Sequence, residues 1–281
     1  MVEQLPFKER VGGSIPSRRT LFKKNFCAKL LKDYVIWRCV LSSLIDRFNA
    51  LLPVWIPDIK RESHKKVMRS RLILDCREGN KEAMKTLMIR YWPFVDEFPE
   101  IIRRHQIRIS AREFLRHPLN SLFFIDKVSR ILGEIKSDEK DHRSLWLDTS
   151  LALELDEEDL YLGEDFYGKE STEVRKIIEK VGESVSIFGN KTASFDAFLR
   201  LAAVEIVAES ISHELIVVFN DLGDKAITWF RAHIYHKEGV MSHEELVYRL
   251  AFSFNNEEPD KEKTNKVIQE VVDLFIAAGD I

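Results

Sequence analysis

Residues 195–219 read FDAFLRLAAVEIVAESISHELIVVF and are apolar around most of the circumference of an α-helix. A helix that is hydrophobic on all sides belongs in the centre of a protein rather than at its surface. Ser194 supplies a favourable cap for its first turn. The segment therefore predicts a central helix around which other helices pack.

The rest of the chain has the same helical character. Apolar residues at helical spacing predict further helices at residues 22–52, 63–76, 81–91, 111–115, 119–135, 141–153, 172–186, 224–239, 242–252 and 261–278. Residues 154–170 are acidic and punctuated by glycine, which predicts a connection containing some helix. No alternating β-branched run requires a sheet. We expect one all-α domain, a single-domain helical bundle of residues 25–281, after a flexible basic leader of residues 1–24.

Local signals predict where these helices begin and end. Pro93 and Pro118 should stop the helices that precede them, because proline lacks the N–H that a helix interior needs. The polar stretch 136–140 should form a turn between two helices. Ser242 and Glu245 have the spacing of a capping box, which predicts a helix start at that point.

Composition excludes several classes of protein. Eleven Gly and eight Pro in 281 residues disfavour an all-β barrel, and a net charge of −3 argues against dedicated nucleic-acid binding. The apolar stretch 34–56 carries Arg38, Asp46 and Arg47, which a membrane span would not tolerate at its centre. Three widely spaced cysteines fit neither a disulfide framework nor a zinc site, so we expect a reduced, cytoplasmic protein.

Chemistry in such a chain must come from ionisable residues on apolar helices, which are costly to bury unless they are paired or bind a metal. Glu134 and His142 flank the expected turn and could face one point. Asp138, Glu139 and Asp141 in the same turn could replace Glu134. The alternative is a solvated acidic turn.

Two further groups lie later in the chain. Glu205, Glu209 and His213 follow one another at steps of four on the most apolar helix, either as site residues or as its one wet side. His233, His236 and His243 form a histidine cluster. The last two would share a face on a continuous helix, whereas a break at the capping box would turn His243 toward solvent.

Taken in order, these segments resemble the haem-oxygenase-like fold, in particular the iron-containing redox enzymes and diiron oxygenases related to the TenA/PqqC group. The resemblance covers roughly residues 40–280. The segments that carry it are RYWPFVDEFPEII at 90–102, the apolar helix that ends at Glu134, His142, LALELDEEDL at 151–160, the helix with Glu205 and Glu209, and LGDKAITWFRAH at 222–233.

The resemblance implies a set of metal ligands. In that family a Glu and a His, a later Glu and a final His-x3-Asp-x2-His helix hold two iron ions. Glu134 and His142 match the first pair, and Glu205, or else Glu209, matches the later Glu. With His236 and His243 as the terminal pair, the family's Asp falls on Val240. With His233 as the first of them, the Asp falls on Lys237.

The resemblance implies a non-haem iron oxygenase or oxidase, with iron as cofactor, that uses dioxygen and a small-molecule substrate, and dimers are common in the fold. The missing Asp also allows a degenerate site with one metal ion. Alternatives are a metal-free relative, acting as a cofactorless oxidase or binding a ligand, and a helical interaction module without catalysis. Neither nucleic acid nor membrane is an expected partner.

Overall fold

The computed structural model describes residues 46, 48–50, 52–116, 122–166, 170–183, 185, 192–235, 241–254 and 258–280. The described parts contain helices and no strand. The helices are α1 (Ile56–Val67), α2 (Arg71–Arg77), α3 (Lys81–Arg116), α4 (Leu122–Ala152), α5 (Glu157–Phe166), α6 (Glu170–Val181), α7 (Thr192–Asn220), a 3-10 turn (Asp224–Ile227), α8 (Thr228–Ile234), α9 (His243–Phe254) and α10 (Lys261–Gly279). The predicted all-α fold is confirmed.

Helix α7 forms the centre of the bundle, as its sequence predicts. It contacts α1, α2, α6, α8, α9 and α10. Its residues Phe198, Ala202 and Ile206 have no exposed surface. On the other side of the bundle, α3 packs along α4 and also contacts α5 and α6. Burial of apolar surface at about 25 cal/mol per Å² is the main force that holds these layers together.

The prediction that Pro93 ends a helix is wrong, because α3 continues through both Pro93 and Pro99 to Arg116. Trp92, Phe94 and Phe98 are all buried on this helix. Burial of one large apolar side chain contributes about 1.5–3 kcal/mol. These three, together with Ile101, Ile102 and Ile109 on the same helix, therefore outweigh the ~6 kcal/mol that two interior prolines cost.

The turn predicted at residues 136–140 is also wrong. Helix α4 runs without interruption from Leu122 to Ala152. The stretch KSDEK contains neither glycine nor proline, so nothing in it forces a break. Its polar residues Ser137, Asp138 and Lys140 lie on the exposed side of the helix.

The other predicted helix boundaries agree with the structure to differing degrees. The predicted helix start is confirmed, since the Ser242 hydroxyl accepts a hydrogen bond from the Glu245 N–H at 3.1 Å, while the Glu245 carboxylate accepts from Arg249. The helix predicted at 63–76 is two helices, α1 and α2, separated at residues 68–70. The leader 1–24 and nearly all of the predicted helix 22–52 lie outside the described residues. Among the helices that the structure describes, none has the length and apolarity needed to cross a membrane.

Candidate metal centre

The continuity of α4 decides which of its side chains face the interior. Ile135, Glu139, His142 and Trp146 follow one another at steps of four, three and four residues, and all are buried. This spacing places them on one face of a helix. Glu139 therefore lies in the bundle interior between apolar neighbours, next to His142.

Three other helices bring side chains to the same point. Glu205 lies in the buried middle of α7, and His233 lies in the last turn of α8. His243 is the first residue of α9, and the Ser242 cap fixes where that helix begins. His243 is only 19% exposed and faces inward, so the predicted solvent-facing position is wrong.

Glu139, His142 and His233 form the first group of metal-ligand atoms. One atom from each side chain lies within 4.8 Å of the others. The Nδ1 atom of His142 donates to Glu139 Oε1 at 3.0 Å. The two imidazole rings lie against each other, with 4.4 Å between their centres.

Glu139, Glu205 and His243 form the second group, again with one atom from each within 4.8 Å of the others. His243 Nδ1 lies 3.7 Å from Glu205 Oε1 and 3.8 Å from Glu139 Oε1. Its Nε2 donates to Asp138 Oδ2 at 3.0 Å. Glu139 belongs to both groups and so joins them into one cluster.

His233 is held in the form that binds metals. Its Nδ1 lies 2.9 Å from the backbone carbonyl oxygen of Trp229, which can only accept, so Nδ1 carries the proton. Burial, together with the charge of His142, lowers the pKa of His233 to about 4. The ring is therefore neutral, with the lone pair on Nε2. A metal-binding histidine is commonly oriented by such a bond to a backbone carbonyl.

The remaining charges in the cluster balance one another. Burial opposes the charged form of His142, but the adjacent Glu139 carboxylate raises its pKa overall. Burial likewise opposes the charge on His243, yet Glu205 and Glu139 raise its pKa to about 9. For Glu205, burial favours the neutral acid, but the pairing with His243 lowers its pKa. His142 and His243 thus each lie beside a carboxylate that favours the protonated ring.

The structure brings together four of the seven predicted site residues: His142, Glu205, His233 and His243. Glu134 belongs to neither group: it lines the cavity farther out, 57% exposed and paired with Arg130. Glu209 also belongs to neither group. It lies 2.6 Å from Lys60 and 3.6 Å from His213, so it pairs with basic side chains instead of joining the cluster. His236 lies outside the described residues.

Sequence reasoning named Glu139 only as a substitute for Glu134 and missed Lys60 and Glu244. The signal for Glu139 was its spacing from Ile135 and Trp146, which becomes visible once α4 is treated as continuous. Lys60 Nζ lies 2.6 Å from Glu209 Oε2 and also 2.6 Å from Glu244 Oε2. This contact joins α1 to α7 and α9, and no local pattern reveals it.

A cavity of about 220 Å³ reaches the cluster from the outside of the bundle. His142, Glu205, His233 and His243 line its inner end, and Glu134, Tyr235 and Met241 line it farther out. Tyr235 is 70% exposed and Met241 41%, so these two side chains mark the rim. A small polar molecule could reach the cluster by this route.

The described cysteine offers no alternative chemistry. Cys76 is buried, and burial raises the pKa of its thiol to about 12. The thiolate is the nucleophilic form, so Cys76 is inert.

In structure, the chain is similar to a TenA homolog from Pseudomonas syringae pv. tomato. The two superpose with a TM-score of 0.60 over 81% of this chain and 92% of the other, at 16% sequence identity. No protein-family model and no curated protein matches the sequence. What is shared is the TenA-like helical bundle, which is a haem-oxygenase-like fold.

Proposed function

We propose that the protein is a non-haem iron oxygenase or oxidase that acts on a small molecule. The observation that carries the proposal is the first group, in which two histidines and one carboxylate converge inside the bundle. Two imidazoles and a carboxylate with open positions form the donor set typical of non-haem iron(II) oxygenases. Glu139, His142 and His233 would hold the metal.

The second group extends the same site. Glu205 and His243 would bind a second ion through the shared Glu139, or would act as neighbours of a single one. Asp138 orients His243 by accepting from its Nε2. A hydrogen-bond partner of this kind, which does not itself bind the metal, fixes the direction of a ligand's lone pair.

Bound iron would supply the one-electron chemistry and dioxygen activation that side chains lack. The chain's own residues would orient the metal ligands and form the cavity around them. The Trp229 carbonyl keeps Nε2 of His233 unprotonated, and Lys60 pairs with Glu209 and Glu244 on the cavity wall. Buried apolar side chains such as Trp146 and Trp229 limit the access of water to the cluster on the side away from this cavity.

A metal-free site is the second candidate, and the ion pairs of the cluster favour it. Glu139 pairs with His142, and His243 with Asp138 and Glu205, so these charges have partners without any ion. In this case the cavity would bind a small molecule, and the histidines would exchange protons with it.

Iron content distinguishes the two candidates. The protein is purified anaerobically with ferrous iron, desalted and analysed for metal per chain. The proposed function predicts one or two tightly bound iron ions per chain and consumption of dioxygen by the iron-loaded protein. A chain that retains no iron after this treatment would refute the proposal and leave the metal-free candidate.

A further inference from the structure

A second cavity lies on the other side of the cluster. Its volume is about 50 Å³, and Glu139, Glu205 and His233 form one wall. Most of the other lining side chains are aromatic: Tyr91, Phe94, Phe98, Trp146, Trp229 and Phe275. The cluster therefore stands between a polar cavity and an apolar one, and Glu205 and His233 line both.

The aromatic side chains expose mainly carbon atoms to this cavity. The Tyr91 hydroxyl donates to the Phe275 carbonyl oxygen at 2.6 Å, and the Trp146 indole N–H donates to the Met88 carbonyl oxygen at 3.1 Å. Their hydrogen-bonding groups are thus already used. Away from the cluster, a polar ligand would lose its bonds to water here and gain few in return.

The volume of the cavity sets the size of an occupant. Apolar cavities stay dry, and one of ~150 Å³ accommodates benzene, whereas a water molecule occupies ~30 Å³ in the liquid. A space of about 50 Å³ is too small for a ring. It suits an apolar molecule of two or three atoms.

We infer that this cavity is a gas pocket that delivers dioxygen to the cluster from the side opposite the polar cavity. The inference rests on the proposed function, in which dioxygen is a substrate. Among the lining residues only Val95 and Ala208 are half-buried, and all the others are buried. The gas would therefore enter past these two side chains, while the second substrate uses the polar cavity.

Xenon is the probe, because it binds in small apolar cavities whether or not metal is present. Crystals of the wild-type protein are pressurised with xenon, and xenon density is expected beside Glu139, Glu205 and His233. Ala208→Leu fills the apolar cavity and should abolish that density. Ala152→Leu is the matched control and should retain it, because Ala152 is half-buried like Ala208 but lines neither cavity.

The reaction with dioxygen supplies a second readout. Ferrous iron-loaded Ala208→Leu should react with dioxygen several-fold more slowly than the wild type, and Ala152→Leu at the wild-type rate. The inference is overturned if the cavity of the wild-type protein binds no xenon. It is also overturned if Ala208→Leu reacts with dioxygen at the wild-type rate. A protein that binds iron but no xenon refutes the gas pocket alone, and one that binds xenon but no iron refutes the proposed function.

Discussion

Lys60 pairs with two carboxylates of the polar cavity that belong to neither metal-ligand group. Burial would lower the pKa of Lys60, but its pairing with Glu244 and Glu209 raises it overall, so the ammonium group stays charged. Burial raises the pKa of Glu244 to about 7 despite the attraction of Lys60. The Lys60 ammonium group thus pairs with both carboxylates and holds these two side chains together on the cavity wall.

Replacement of Lys60 should leave these carboxylates without their partner. We expect Lys60→Met to lower the free energy of unfolding by about 1–3 kcal/mol, less than for a fully buried pair, because Lys60 is 37% exposed. Lys66→Met is the control on the same helix, since Lys66 pairs with Asp273 at the surface, and it should change stability by less than ~0.5 kcal/mol. Urea unfolding measures both, and equal effects would contradict the role given to Lys60.

At the scale of elements, the sequence predicts where helices form better than it predicts how long each helix is. The apolar circumference of α7 and the cap of α9 are local patterns, and both predictions are confirmed. The continuity of α3 and α4 depends on burial against other helices, which is invisible locally. That continuity also fixes the helix face, which is why Glu139, and not Glu134, reaches the cluster.

Helix α3 is joined to the end of α6 by a buried histidine. His105 Nε2 donates to the Val181 carbonyl oxygen at 2.8 Å, and Nδ1 has no hydrogen-bond partner among the residues that the structure describes. Burial, assisted by the charges of Arg200, Arg104 and Arg108, lowers the pKa of His105 to about 4. The ring is therefore neutral in the folded protein at neutral pH.

This buried ring should make the protein sensitive to acid. Since the pKa of His105 rises to its ordinary 6.5 on unfolding, the unfolded chain binds the proton first, and stability is lost as pH falls from 6.5 to about 4. The loss is at most about 1.4 kcal/mol per pH unit. His105→Gln keeps a donor for Val181 but does not titrate, so its stability should fall less steeply over that range. Parallel curves of unfolding free energy against pH would contradict this account.

At the scale of the whole molecule, the cluster exists only because four helices meet. Glu139 and His142 come from α4, Glu205 from α7, His233 from α8 and His243 from α9. The sequence names most of these residues from their chemistry, but their meeting point depends on packing across more than a hundred residues of chain. The site is therefore a property of the complete fold.

Two glutamates on one helix provide the most direct test of the metal centre. Glu139 is buried and belongs to both ligand groups, whereas Glu134 belongs to neither, pairs with Arg130 and is 57% exposed. Wild-type protein, Glu139→Gln and Glu134→Gln are loaded with ferrous iron in parallel, and iron per chain is measured. We predict that Glu134→Gln retains the wild-type iron content and that Glu139→Gln loses most of it. Equal iron in both variants, or loss only in Glu134→Gln, would contradict the assignment of the metal centre.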